Sequence, residues 1–205
     1  MARKDVDSNE QIIVDQFDGI VPYFEAFYLE SLVYAAGRAV EAFKRFDDAV
    51  TGRIDTAVVV ANVHEALTHA AAVSRFFWPA RQSPITAARA QKLRHAFGLD
   101  ANSPLYSRDL RNVLEHYDEY LDRFLAQHQV GHFFPGPMVA SAALADDQLG
   151  NIFRLVDPQT EEFVLLGSKH AFGPMRKAVQ EVFSQAQTMM NNGGRLQLDR
   201  ELRTE

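Results

Sequence analysis

At 205 residues, with 47% hydrophobic and 11% aromatic content, the chain is long enough for one packed domain and too apolar for a disordered one. A net charge of −6 supplies no general basic field for nucleic acid, so any RNA contact has to come from a local patch. The absence of Cys excludes disulfides, thiolate metal sites and cysteine nucleophiles; with a polar N-terminus and no long apolar run, it predicts a cytoplasmic chain without signal peptide or membrane span.

In chain order, the first helical region is expected over residues 9–48, with Pro22 interrupting it or opening its main part. Phe24, Phe27, Tyr28, Leu32, Ala35, Ala39, Phe43 and Phe46 form its apolar stripe, and Thr51-Gly52 breaks it. A second helix, roughly 53–78, is rich in Ala and Val and reads as the most buried of the set; Pro79 ends it. Ser83-Pro84 supplies a cap and a first-turn Pro for a third helix that stops at Gly98. Ser103-Pro104 repeats the signal and opens a fourth, expected to run unbroken over 105–127. Its buried face is Leu110, Leu114, Tyr117, Leu121 and Phe124, at spacings of three and four.

The interval 129–150, with Gly131, Pro135, Gly136 and Pro137, reads as a surface loop holding at most one short helical turn. A hairpin is expected at about 151–167, where Ile152–Val156 and Glu162–Leu166 flank the turn sequence Asp157-Pro158-Gln159-Thr160. A last helix near 173–190 ends at Asn191-Asn192-Gly193-Gly194, and a flexible tail occupies about 193–205. The expected fold is therefore all-α: a single domain over 1–205, a four- to five-helix bundle with one small β-hairpin before its last helix. A lone hairpin is marginal, so this one has to pack on the bundle or on a partner.

The segment with most chemistry is Arg108-Asp109-Leu110-Arg111-Asn112-Val113-Leu114-Glu115-His116-Tyr117. On an ideal helix, at about 100° per residue, Arg111, Asn112, Glu115 and His116 bracket the face opposite Leu110 and Leu114, with Arg111 and His116 about 140° apart. An exposed guanidinium is a fixed phosphate ligand, and an imidazole titrates near neutrality. The plain alternative is a solvated face on which Arg111 and Glu115 make an ordinary i,i+4 pair. Other arrangements carry less. His64 and His69 are five apart, where a zincin helix needs four. His128 and His132 straddle Gly131 with no further ligands, and Phe76-Phe77-Trp78 before Pro79 reads as a hydrophobic anchor rather than a base-stacking platform. No Gly-rich phosphate loop and no Gly-x-Ser-x-Gly elbow is present.

The Arg111-Asn112-x-x-Glu115-His116 block resembles the Arg-x(4–6)-His motif of the HEPN family, small helical proteins many of which are metal-independent ribonucleases. Arg89 to His95 and Arg123 to His128 have similar spacing, but only Arg111 is followed by the Asn common in that family. The resemblance implies a HEPN-like bundle with the motif in a late helix. Arg111 and His116 would be catalytic, Asn112 and Glu115 supporting, and neither metal nor cofactor would be used. It further implies an RNA substrate, a homodimer joined through the motif helix, a toxin or defence role, and an antitoxin or nucleotidyltransferase partner. Some family toxins place a Tyr two residues after the His; Asp118 stands here, so their tyrosine-linked regulation does not carry over. Two other readings stay open: a non-catalytic HEPN-like module that binds a protein or nucleotide, and an unrelated bundle with a chance motif.

Overall fold

The computed structural model describes residues 3–198. Helix α1 (Arg3–Phe17) is separated from α2 (Glu25–Thr51) by a bend and a 3-10 turn at Pro22–Phe24. Gly19 has φ +81°, and a Cβ there would lie 2.3 Å from the backbone nitrogen of Arg89, so the bend needs a residue without a side chain. Helix α3 (Thr56–Phe77) is started by Asp55, whose carboxylate accepts from the Ala57 amide. Helix α4 (Pro84–Phe97) carries the expected punctuation: Ser83 and Thr86 form a reciprocal capping box, and left-handed Gly98 closes the far end.

Two core regions run along the α2–α3 pair. At one end Leu29, Leu32, Val73, Phe77, Leu93 and Val182 join α2, α3 and α4 to the last helix, α7 (Gly173–Asn191). At the other, Phe43, Phe46, Val60, Val63 and Leu67 pack against Phe163, Leu165 and Phe172 from the C-terminal third of the chain. The long stripe expected on α2 is buried from Leu29 onward, but Phe24 and Phe27 lie outside it, 51% and 70% exposed.

The all-α expectation is overturned by a four-stranded mixed sheet inserted before α7. The expected hairpin exists as β2 (Gly150–Asp157) and β3 (Glu162–Leu165), paired Arg154 to Leu165 and Val156 to Phe163. Two further strands flank it: β1 (His132–Val139), parallel to β2, and β4 (Ser168–Ala171), antiparallel to β3. Both were hidden by composition. β1 contains Pro135, Gly136 and Pro137 and survives as an edge strand because its register shifts between Phe134 and Pro137, where proline costs no ladder bond. β4 is four residues with Lys169 and His170, the short, charged kind of segment that blunts a sheet edge. One sheet face meets α2 and α3; on the other, Leu155, Val164 and Ile152 are covered by a 3-10 turn at Ala142–Asp146, in the interval read from the sequence as a loop with room for at most one such turn.

The hairpin turn is held by Asp157, 4% exposed, whose carboxylate accepts from the amides of Ala142, Gln159 and Thr160. The start of the expected flexible tail is anchored instead: the Leu196 amide and the Arg195 guanidinium both donate to Glu25. The rest of that expectation, beyond residue 198, lies outside the described residues.

Candidate functional site

The motif segment is not one helix. Ser103 caps a 3-10 turn at Pro104–Tyr106, after which α5 (Asp109–Glu115) and α6 (Tyr117–Gln127) meet at His116, whose φ −119° and ψ 40° leave helical geometry. The expected continuity over 105–127 therefore fails at both places. Leu110 and Phe124 are buried as expected, whereas Leu114, Tyr117 and Leu121 are only partly covered.

Arg111 points inward rather than to solvent and is 3% exposed. The cause lies at the end of α3. Pro79 forbids further helix, so the last carbonyls of α3 need donors from elsewhere. Arg94 donates to the carbonyl of Phe77, and Arg111 Nη1 donates to that of Trp78 at 3.0 Å and approaches Ser74 Oγ at 3.4 Å. Cations at a helix C-terminus are also favoured by the helix dipole. Ser74 in turn donates to the Leu105 carbonyl at 2.6 Å, tying the 3-10 turn to the same spot. Phe77 and Trp78 are buried there, the anchor role read from the sequence.

The rim of the motif is formed by other groups. Glu115 lies 3.9 Å from Arg111 Nε and accepts from Arg75 Nε at 2.9 Å, so it bridges a buried and a half-exposed arginine. Burial draws the Arg111 guanidinium below its ordinary range, Glu115 opposes this, and Arg108 and Arg75 add to it. His116, one residue on, has a side chain 56% exposed, 3.8 Å from Glu119. Asn112 is partly covered on α5, and its carbonyl accepts the His116 amide at 2.9 Å. The structure thus brings Arg111 and Glu115 together, places His116 outward beside them, and adds Arg75. Nothing local in the sequence marks Arg75; only the proximity of α3 and α5 does.

Such a rim offers an exposed imidazole for proton transfer and a guanidinium for anionic charge, but one histidine only. His64 and His69 diverge as their spacing required: the His64 ring lies tilted against that of Phe163 at 6.0 Å, while His69 sits 3.9 Å from Glu65. No helix is long and apolar enough to cross a membrane among the described residues. In comparisons with protein-family models, curated proteins and solved structures, the chain matches none.

Proposed function

We propose that the chain is a HEPN-like, metal-independent endoribonuclease that acts as a homodimer through its motif helices. The observation that carries the reading is the helix break at His116, which turns an imidazole outward one residue after a carboxylate clamped by two arginines. In the proposed reaction the ribose 2′-oxygen forms a bond to phosphorus as the bond to the 5′-oxygen breaks. The 2′-hydroxyl proton passes to a base and an acid protonates the leaving oxygen, giving a 2′,3′-cyclic phosphate. One copy presents a single His116, so a second copy supplies the other proton-transfer group. Arg75 faces the phosphate and stabilises the developing charge. Arg111, as placed, is a positioning residue that fixes Glu115 and clamps α5 to α3, and Asn112 supports the break through its carbonyl.

The burial of Arg111 favours a second reading, a non-catalytic module of the same type that binds a protein or nucleotide partner. The test is incubation of purified protein with single-stranded RNA in EDTA, with product ends analysed and with His116→Ala and Arg75→Ala compared. Cyclic-phosphate ends from the wild type, lost in His116→Ala without loss of folding, support the enzyme. Intact RNA at every protein concentration, including those at which dimers sediment, leaves the binding module as the reading.

A further inference from the structure

Behind the break, the face of the sheet that meets the helices carries or faces three polar side chains that have no hydrogen-bond partners among the described residues. Arg154 of β2 lies with its guanidinium carbon 4.7 Å from the centre of the Tyr117 ring, the first residue of α6. Its Nε is buried with no hydrogen-bond partner, and among the described residues its side chain makes no hydrogen bond or ion pair. His64 of α3 approaches from the other side. Its ring is 6.0 Å from that of Phe163, which pairs with Val156, the residue next along Arg154's face of β2. Neither the His64 ring nor the Tyr117 hydroxyl has a hydrogen-bond partner among the described residues. Among the described residues none of the three has a carboxylate within hydrogen-bond or ion-pair distance. An unpaired, partly buried guanidinium is costly to keep and is accounted for when an anion completes it.

We propose that Arg154, His64 and Tyr117 form a binding site for one phosphate group, either a phosphodiester of RNA or a free phosphomonoester. Stacking on Tyr117 holds the guanidinium plane and leaves its edge donors for two phosphate oxygens. The Tyr117 hydroxyl and a protonated His64 complete the shell. Burial, then the charge of Arg154, hold the His64 imidazole below its ordinary range. A bound phosphate opposes both with its own negative charge, which offsets Arg154 and favours the imidazolium. On strand β4, burial holds the His170 imidazole below its ordinary range against the opposing charge of Asp109 of α5. Tyr117 directly follows His116, which ties this site to the motif segment along the chain. That the phosphate belongs to RNA rests on the ribonuclease reading; the site itself does not.

The experiment follows the His64 imidazole of the full chain by NMR across pH, with and without inorganic phosphate, and with a 2′-O-methyl RNA oligonucleotide that cannot be cleaved. Phosphate is expected to raise the His64 pKa saturably. Arg154→Leu is expected to raise it without phosphate, because the repulsion is gone, and to weaken phosphate binding at least about tenfold. Arg154→Lys, which keeps the charge but loses the fork, should retain part of the response and guards against a folding defect in the leucine variant. A response to both ligands assigns the site to RNA, and a response to inorganic phosphate alone assigns it to a free phosphomonoester. A His64 titration indifferent to both ligands in the wild type overturns the proposal and leaves Arg154 as packing on Tyr117. Cleavage failing while the phosphate response persists overturns only the ribonuclease reading.

Discussion

Lys92 and Arg111 are both buried cations that brace the same bundle, yet their surroundings differ. Lys92 lies 3.1 Å from Glu25 Oε1 and donates to the carbonyls of Phe17 and Ile20; the other Glu25 oxygen takes Arg195 and the Leu196 amide. Burial pushes the Glu25 carboxyl up, but Arg195, the Leu196 amide and Lys92 together hold it below the usual carboxylate range. Arg111 has a carbonyl, a distant hydroxyl, a carboxylate at 3.9 Å that it shares with Arg75, and an Nε with no partner. The first network closes on itself and locks α1, α4 and the segment at Arg195 and Leu196 onto α2. The second is open. What separates the two is the set of hydrogen bonds around the charge, complete at Lys92 and incomplete at Arg111; among the described residues Arg154 and His170 also keep a buried nitrogen without a partner.

The contrast is broken most forcefully at the closed network. Glu25→Ala leaves Lys92 buried and unpaired, a change that costs about 3–5 kcal/mol in comparable sites. Urea unfolding should show that loss, whereas Arg195→Ala, at the exposed edge of the same network, should cost far less. Equal effects for the two would mean that the network is not closed around Lys92.

Next in size is the open network. Arg111→Met removes the donor from the Trp78 carbonyl and leaves Glu115 to Arg75 alone, with an expected loss of about 1.5–3 kcal/mol. His116→Ala should change stability by less than about 0.5 kcal/mol, because the imidazole is exposed. The sequence alone predicts the smaller figure for both, so matched melts of the two variants separate the inward Arg111 from an outward one. A near-neutral Arg111→Met would return that residue to the surface.

That mismatch shows where the sequence was legible. Local chemistry carried most of the helical layout: Ser83-Pro84, Gly98, Pro79 and the turn at Asp157 act within a few residues of themselves, and the structure uses each as read. What depends on distant partners was not visible. Arg111 faces inward because α3 ends nearby in space with unsatisfied carbonyls, 33 positions earlier in the chain. β1 and β4 are strands because β2 and β3 offer them ladders, although Pro135, Pro137 and Lys169 argue against strand locally. Phe24 and Phe27 continue the apolar pattern of α2 beyond the point at which another element covers it. At the motif, the residue types were legible, but their placement was not. The spacing of Arg111 and His116 gives an angle only if the helix is continuous, and it breaks at His116.

The smallest expected effect is on pH dependence, and it sets the buried histidines against the Glu25 network. Burial is the first cause holding His64, His69 and His170 below the ordinary histidine range, with Arg154 adding to it at His64. For such groups the unfolded chain binds protons more readily than the folded one. Their contribution is therefore fully present above the unfolded value, about pH 6.5, and is lost as pH falls from there towards the folded values. Glu25 and Asp157, both held below the ordinary carboxylate range, lose their contribution only below about pH 4.5, as pH falls through their folded values. Between pH 7.5 and 5.5 the urea midpoint should thus decline through the histidines while the Glu25 network stays intact. Arg154→Leu should shallow that decline, because His64 then protonates in the folded state with less penalty. A slope unchanged by Arg154→Leu would show that burial alone, and not the unpaired guanidinium, keeps His64 neutral.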